Sequence, residues 1–150
     1  MRVLAAIILV GNVLFSNDQV DWTTFDDLPE KMREAPKPIL IFITADWCKF
    51  CEMQKNTTFK SLEVISKINA AYYAIELDGE GKDPITFLNR IYGYKPTGSE
   101  TGYHELAYFL GSKDGDLTFP TTLILSQQFT LQRKEVGLVE RELMLEMLSE

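Results

Sequence analysis

The chain has 150 residues, 45% of them hydrophobic, and a formal net charge of -7. That length and apolar content suit one domain with a real core and leave little room for a second. The acidic balance argues against nucleic acid or an anionic membrane as partner, because both repel a negative surface.

Taken in chain order, the first feature is Arg2 followed by the apolar run Val3 to Val10 and a shorter apolar tail ending near Ser16. A basic start and an apolar stretch too short for a comfortable membrane span predict a signal peptide over residues 1–16. The remaining domain, 17–150, is then periplasmic or secreted. Leu14 is larger than the residue usual two positions before such a cut, so an uncleaved anchor is the alternative.

Trp22 to Phe25 leads into Leu28, Met32 and Ala35, an amphipathic helical pattern that Pro36 and Pro38 end. Ile39 to Thr44 reads as a strand buried on both faces, being continuously apolar and β-branched. A helix is predicted from Cys48 to about Phe59 and a further turn or helix through Leu62, Val64, Ile65 and Ile68. Ala71 to Leu77 is a second strand, closed by Asp78-Gly79-Glu80-Gly81. Asp83-Pro84 then predicts a helix through Ile85, Phe87, Leu88 and Ile91, with proline at its first position. Tyr94 to Gly102 reads as a surface loop and His104 to Leu110 as a short helix. Thr121–Leu125 and Leu131–Val136 form two strands joined by a turn, and Gly137 precedes a last helix with Leu143, Met144, Met147 and Leu148. The order predicts an α/β fold, a mixed sheet flanked by helices, with the first two strands parallel and the last two an antiparallel hairpin.

The chemistry sits in Trp47-Cys48-Lys49-Phe50-Cys51, which holds both cysteines of the chain. A strand that delivers Cys-X-X-Cys to the first turn of a helix exposes the first thiol to unpaired backbone N–H groups and the positive helix end. Both favour thiolate, the nucleophilic form. The Cys48 midpoint is therefore expected below that of a free thiol, with Lys49 and Lys55 offset by Asp46 and Glu52 across solvent. In an oxidising compartment two cysteines can instead form a structural staple. A bridge over two residues closes too small a loop to constrain the unfolded chain much, so the redox reading is preferred.

Phe119-Pro120-Thr121 stands directly before a strand. Proline there removes a ladder hydrogen bond, which makes sense if the Phe119–Pro120 bond is cis and turns the chain beside the cysteine pair.

With Ile39–Thr44, Ala45-Asp46-Trp47-Cys48-Lys49-Phe50-Cys51 and Phe119-Pro120-Thr121, the sequence resembles the thioredoxin superfamily over about residues 20 to 150. Ala-Asp-Trp-Cys-X-X-Cys followed by Thr58-Phe59 looks most like the C-terminal domain of DsbD-type electron transporters and related small exported thioredoxin-like proteins. The resemblance implies a three-layer fold, Cys48 as attacking and Cys51 as resolving cysteine, and Pro120 as a cis-proline that also keeps metals from the thiols. It implies that Trp47, Phe119, Pro120 and Thr121 meet the substrate, with the Phe119 backbone pairing to an extended segment. Three departures stand out. The family's buried Asp, six residues before the first cysteine, is Phe42 here. The DsbD-type Glu, four residues after the second cysteine, is Lys55. The segment from Gly79 to Leu117 is longer than the minimal pattern and reads as an insertion.

Other features have plainer readings. His104, the single histidine, is either a proton shuttle or a helix-start residue bonded locally, and the local reading is preferred. Tyr92, Tyr94, Tyr103 and Tyr108 line a partner groove or pin the insertion, and packing is preferred. Two thiols and one imidazole are too few for a closed zinc site, although Cu(I) binding is an alternative. A binding domain that kept only the fold would not need both thiols. The expectation is an exported thiol–disulfide oxidoreductase, a reductase of protein disulfides, acting through a mixed disulfide. It needs no cofactor beyond the Cys48–Cys51 couple, works as a monomer, and takes electrons from a membrane donor of DsbD type. An oxidase or isomerase is the alternative direction.

Overall fold

The computed structural model describes residues 18–149. The segment read as a signal peptide, 1–16, lies outside them. Among the described residues no helix is long and apolar enough to cross a membrane.

A five-stranded sheet organises the chain. Its centre is β2 (Ile39–Thr44), buried along its whole length. The parallel neighbour of β2 is β3 (Tyr73–Asp78), and its antiparallel neighbour is β8 (Thr121–Leu125). The short β1 (Trp22–Thr23) extends β3 on one side, and β9 (Leu131–Val136) pairs with β8 on the other. The parallel β2–β3 pair follows from the helical connection between them, and the β8–β9 hairpin from its short turn.

The period of two in β2 explains why the strand is apolar throughout. Ile39, Ile41 and Ile43 enter one core with Ile75, Leu77, Leu123 and Leu125, covered by α1 (Leu28–Glu34) and α4 (Glu105–Gly111). Leu40 and Phe42 enter the other, under α3 (Leu62–Ala71) and α5 (Arg141–Met147). That second core also contains both cysteines. Each fully buried aliphatic side chain contributes about 1.5–3 kcal/mol of transfer free energy, so this strand anchors both layers.

The middle of the chain departs from the sequence reading. Residues expected as a helix through Ile85 and Ile91 form a hairpin of β4 (Ile85–Phe87) and β5 (Arg90–Tyr92). Its two-residue turn places Leu88 at φ 50 and Asn89 at φ 62. Positive φ at both turn residues is the I′ geometry whose twist suits a hairpin. The expected loop after it is a second hairpin, β6 (Tyr94–Pro96) with β7 (Gly102–His104). The helix predicted from Cys48 to Phe59 is also divided, into α2 (Lys49–Asn56) and a 3₁₀ turn over Thr58–Lys60.

Candidate functional site

Cys48 is the N-cap of α2, with its backbone extended at φ -80 and ψ 102. Its Sγ accepts the backbone N–H of Cys51 at 3.1 Å. The two cysteines form a disulfide with Cα atoms 5.2 Å apart. Both are buried, Cys48 at 4% and Cys51 at 1% exposure, so the reactive pair sits at a helix N-terminus with one sulfur at the edge of the core. This combination places a disulfide at the start of a helix with a backbone N–H aimed at the Cys48 sulfur, an arrangement that favours negative charge there.

Trp47, by contrast, is 67% exposed. Its indole N–H donates to Glu80 Oε2 at 2.9 Å, and its ring meets Phe119 edge-on with centroids 5.8 Å apart. The Phe119–Pro120 peptide bond is cis. Pro120 and Thr121 are buried, and the Thr121 hydroxyl donates to the Thr118 carbonyl at 2.8 Å. Trp47 and Phe119 are therefore in contact, while Thr121 faces inward and is held by its own turn.

Below the pair there is no carboxylate at the position of Phe42. That ring is fully buried and packs edge-on against Phe59 at 5.1 Å. Glu76 stands beside Phe42 in the β2–β3 register and pairs with Lys55. Both side chains are about one-third exposed, 35% each, so this ion pair lies at the rim of the core. Lys55 thus has a partner on the sheet.

Sequence reasoning passed over Gln54, which is fully buried. Its amide donates to Thr122 Oγ1 at 3.0 Å and accepts the Val139 N–H at 2.9 Å. One side chain therefore fastens the cysteine-bearing helix to β8 and to the segment before α5. The available signal was its position three residues after Cys51, on the same helical face. Glu80 was likewise read only as part of a turn, yet it holds Trp47.

His104 is fully buried and caps α4. Nδ1 accepts the Leu106 N–H at 3.2 Å, which leaves Nε2–H to donate to the Asp83 carbonyl at 3.1 Å. Both ring nitrogens are thereby engaged in structure. The tyrosines divide their work. Tyr92 is buried in the core, whereas Tyr103 and Tyr108 stack at 4.8 Å along a groove beside Trp47. Among the described residues no group of three or more His, Cys, Asp or Glu gathers as a metal site.

A family model named Thioredox_DsbH, with the description "Protein of unknown function, DUF255", matches residues 13–133. Among solved structures, a thioredoxin-fold protein from Helicobacter pylori is similar with TM-score 0.58 and 16% identity, over 75% of this chain and 67% of its own. A structure named "DsbH Oxidoreductase" gives TM-score 0.54 and 16% identity, over 89% of this chain and 87% of its own. The oxidised DsbD C-terminal domain from Neisseria meningitidis gives 0.50 and 18%, over 84% and 94%. No curated protein matches the chain. At these identities the structures establish a thioredoxin fold, and a Cys-X-X-Cys disulfide opening a helix in that fold is the arrangement of a thiol–disulfide oxidoreductase. The family match spans most of the sequence, and the chain belongs to the DsbH-like thioredoxin family.

Proposed function

We propose that the chain is an exported reductase of protein disulfides. The observation that carries this reading is Cys48 at the N-cap of α2, its sulfur accepting the Cys51 N–H. In the dithiol form the Cys48 thiolate attacks one sulfur of a substrate disulfide. A Cys48–substrate disulfide forms and the other substrate sulfur leaves as thiolate. Cys51, deprotonated, then attacks the Cys48 sulfur, so the second substrate sulfur leaves and the Cys48–Cys51 bond closes. Two electrons and two protons pass from the dithiol to the substrate. No bound cofactor takes part.

Trp47 and Phe119 flank the pair, and the Phe119 backbone is assigned the pairing to an extended substrate segment. The reducing direction is assigned from the resemblance of Trp47-Cys48-Lys49-Phe50-Cys51 and its flanking residues to reducing members of the superfamily. In an oxidising compartment, the dithiol is regenerated by a reduced thiol partner, assigned here to a membrane donor of DsbD type. Equilibration with defined thiol buffers tests the direction. A potential near about -270 mV is expected, and one near about -120 mV would make the chain an oxidase.

A further inference from the structure

Beside Trp47, the residue preceding Cys48, lies an open groove of about 530 Å³ lined mostly by residues 80–119. Its lining includes Trp47, in edge-on contact with Phe119, and the stacked rings of Tyr103 and Tyr108. Among the described residues lining it, the charged ones are Glu80 and Asp116, both acidic. Lys113, bridged to Asp116 through the backbone, is not among the lining residues. Lys95 pairs with Glu105, and Lys82 lies over the Tyr94 ring.

We propose that this groove takes the segment of the substrate protein next to its reactive cysteine, and that this segment carries an arginine or lysine. The inference rests on the thiol-exchange reading above and adds a substrate class to it. A cation is the complement of two carboxylates that no lining cation offsets. Guanidinium also stacks on aromatic rings, and both tyrosines line the groove. Glu80 already accepts the Trp47 N–H through one oxygen, so a cation bound there lies against the same side chain that holds the active-site tryptophan. Phe119, whose backbone is assigned the pairing to an extended segment, also lines the groove, so the proposed substrate segment would pass from that backbone into it. The overall charge of -7 adds general attraction to cations, and the test must separate this from a local site.

The test uses the full chain in its dithiol form and two peptides that differ only in an Arg or a Glu two residues from a cysteine held as a mixed disulfide. Each rate is divided by that of the same protein with uncharged hydroxyethyl disulfide. The Arg peptide is expected to react about fivefold faster, an advantage that shrinks in high salt. Asp116→Asn and Glu80→Gln should each reduce that advantage, whereas Asp26→Asn, an equal charge change on an exposed turn outside the groove, should not. Equal normalised rates for the two peptides would overturn the groove while leaving thiol exchange intact. So would an advantage reduced equally by all three variants, which would show general steering alone. Failure of the dithiol to reduce even hydroxyethyl disulfide would overturn the exchange reading and the groove with it.

Discussion

The indole N–H of Trp47 donates to the carboxylate of Glu80 across 2.9 Å, joining the residue before the first cysteine to the turn that follows β3. The same turn carries Gly79, whose N–H donates to the Thr44 carbonyl and whose carbonyl accepts the His104 N–H, each at 2.7 Å. The segment after β3 is thereby tied to the chain around Cys48 through three contacts, Trp47 to Glu80, Thr44 to Gly79 and Gly79 to His104. Replacing Glu80 with Ala is expected to cost about 1 kcal/mol or less, because the bond is largely exposed. Its clearer effect is on Trp47 itself. In a Trp22→Phe background, tryptophan anisotropy should fall as the ring is released, and unchanged anisotropy would show that Glu80 does not hold it.

Gly79 is required by close approach. A Cβ built there overlaps the Phe119 ring at Cε1 and Cζ. Gly79→Ala must displace that ring or the turn, at a cost of about 1–3 kcal/mol. Urea denaturation should show the loss together with slower exchange, since Phe119 contacts Trp47 beside the disulfide. Native stability in this variant would mean that the ring yields freely.

Phe42 fills the place at which the resemblance leads one to look for an acid. Phe42→Asp removes a fully buried ring that packs with Phe59 and leaves a carboxyl among apolar neighbours. The expected loss is at least about 3 kcal/mol. Burial raises the folded-state pKa of that carboxyl above its unfolded value. The folded state then holds its proton longer, and the variant loses further stability as pH rises through the carboxylate range. Urea midpoints at two pH values, compared with those of the parent, check both the size and the sign.

Residues 39–51 and 121–136 differ from the stretch between them in how much the sequence disclosed. The run Ile39–Ile43 is apolar at every position because it feeds two cores, and such a pattern admits few other placements. Cys48 and Cys51 announce their helix end, and the spacing of Thr121–Leu125 and Leu131–Val136 leaves room only for a hairpin. Between them, Pro84 imitated a helix start. The true signal was Asn89, a residue tolerant of positive φ, masked because its turn partner is Leu88, for which that conformation is uncommon. Gln54 and Glu80 were illegible for a different reason. Their roles depend on Val139 and Trp47, partners remote in sequence, and no local pattern encodes such a pairing.

His104 provides a test of whether the segment between β3 and β8 is held by packing or serves the chemistry. His104→Ala removes the acceptor for Leu106 N–H and the donor to the Asp83 carbonyl, and leaves a cavity. The expected cost is about 2–4 kcal/mol. Because both nitrogens are engaged in structure, the folded variant should reduce hydroxyethyl disulfide at the parent rate. A lowered rate in fully folded protein would instead make His104 a proton-transfer group.

The strongest constraint on mechanism is the ionisation of Cys48. In the disulfide, its sulfur already accepts the Cys51 N–H at 3.1 Å at the start of α2. On reduction the same N–H and the helix end favour a negative sulfur over a neutral one, because they solvate charge without reorganising. In a Cys51→Ser variant, thiolate absorbance near about 240 nm should therefore titrate with a midpoint below the free-thiol value of about 8.5. A lowered midpoint would raise the fraction of attacking thiolate at neutral pH and make Cys48 a better leaving group when Cys51 closes the ring. A midpoint at the free-thiol value would mean that burial of Cys48, at 4% exposure, cancels the helix contribution. Attack would then depend on a base brought by the substrate.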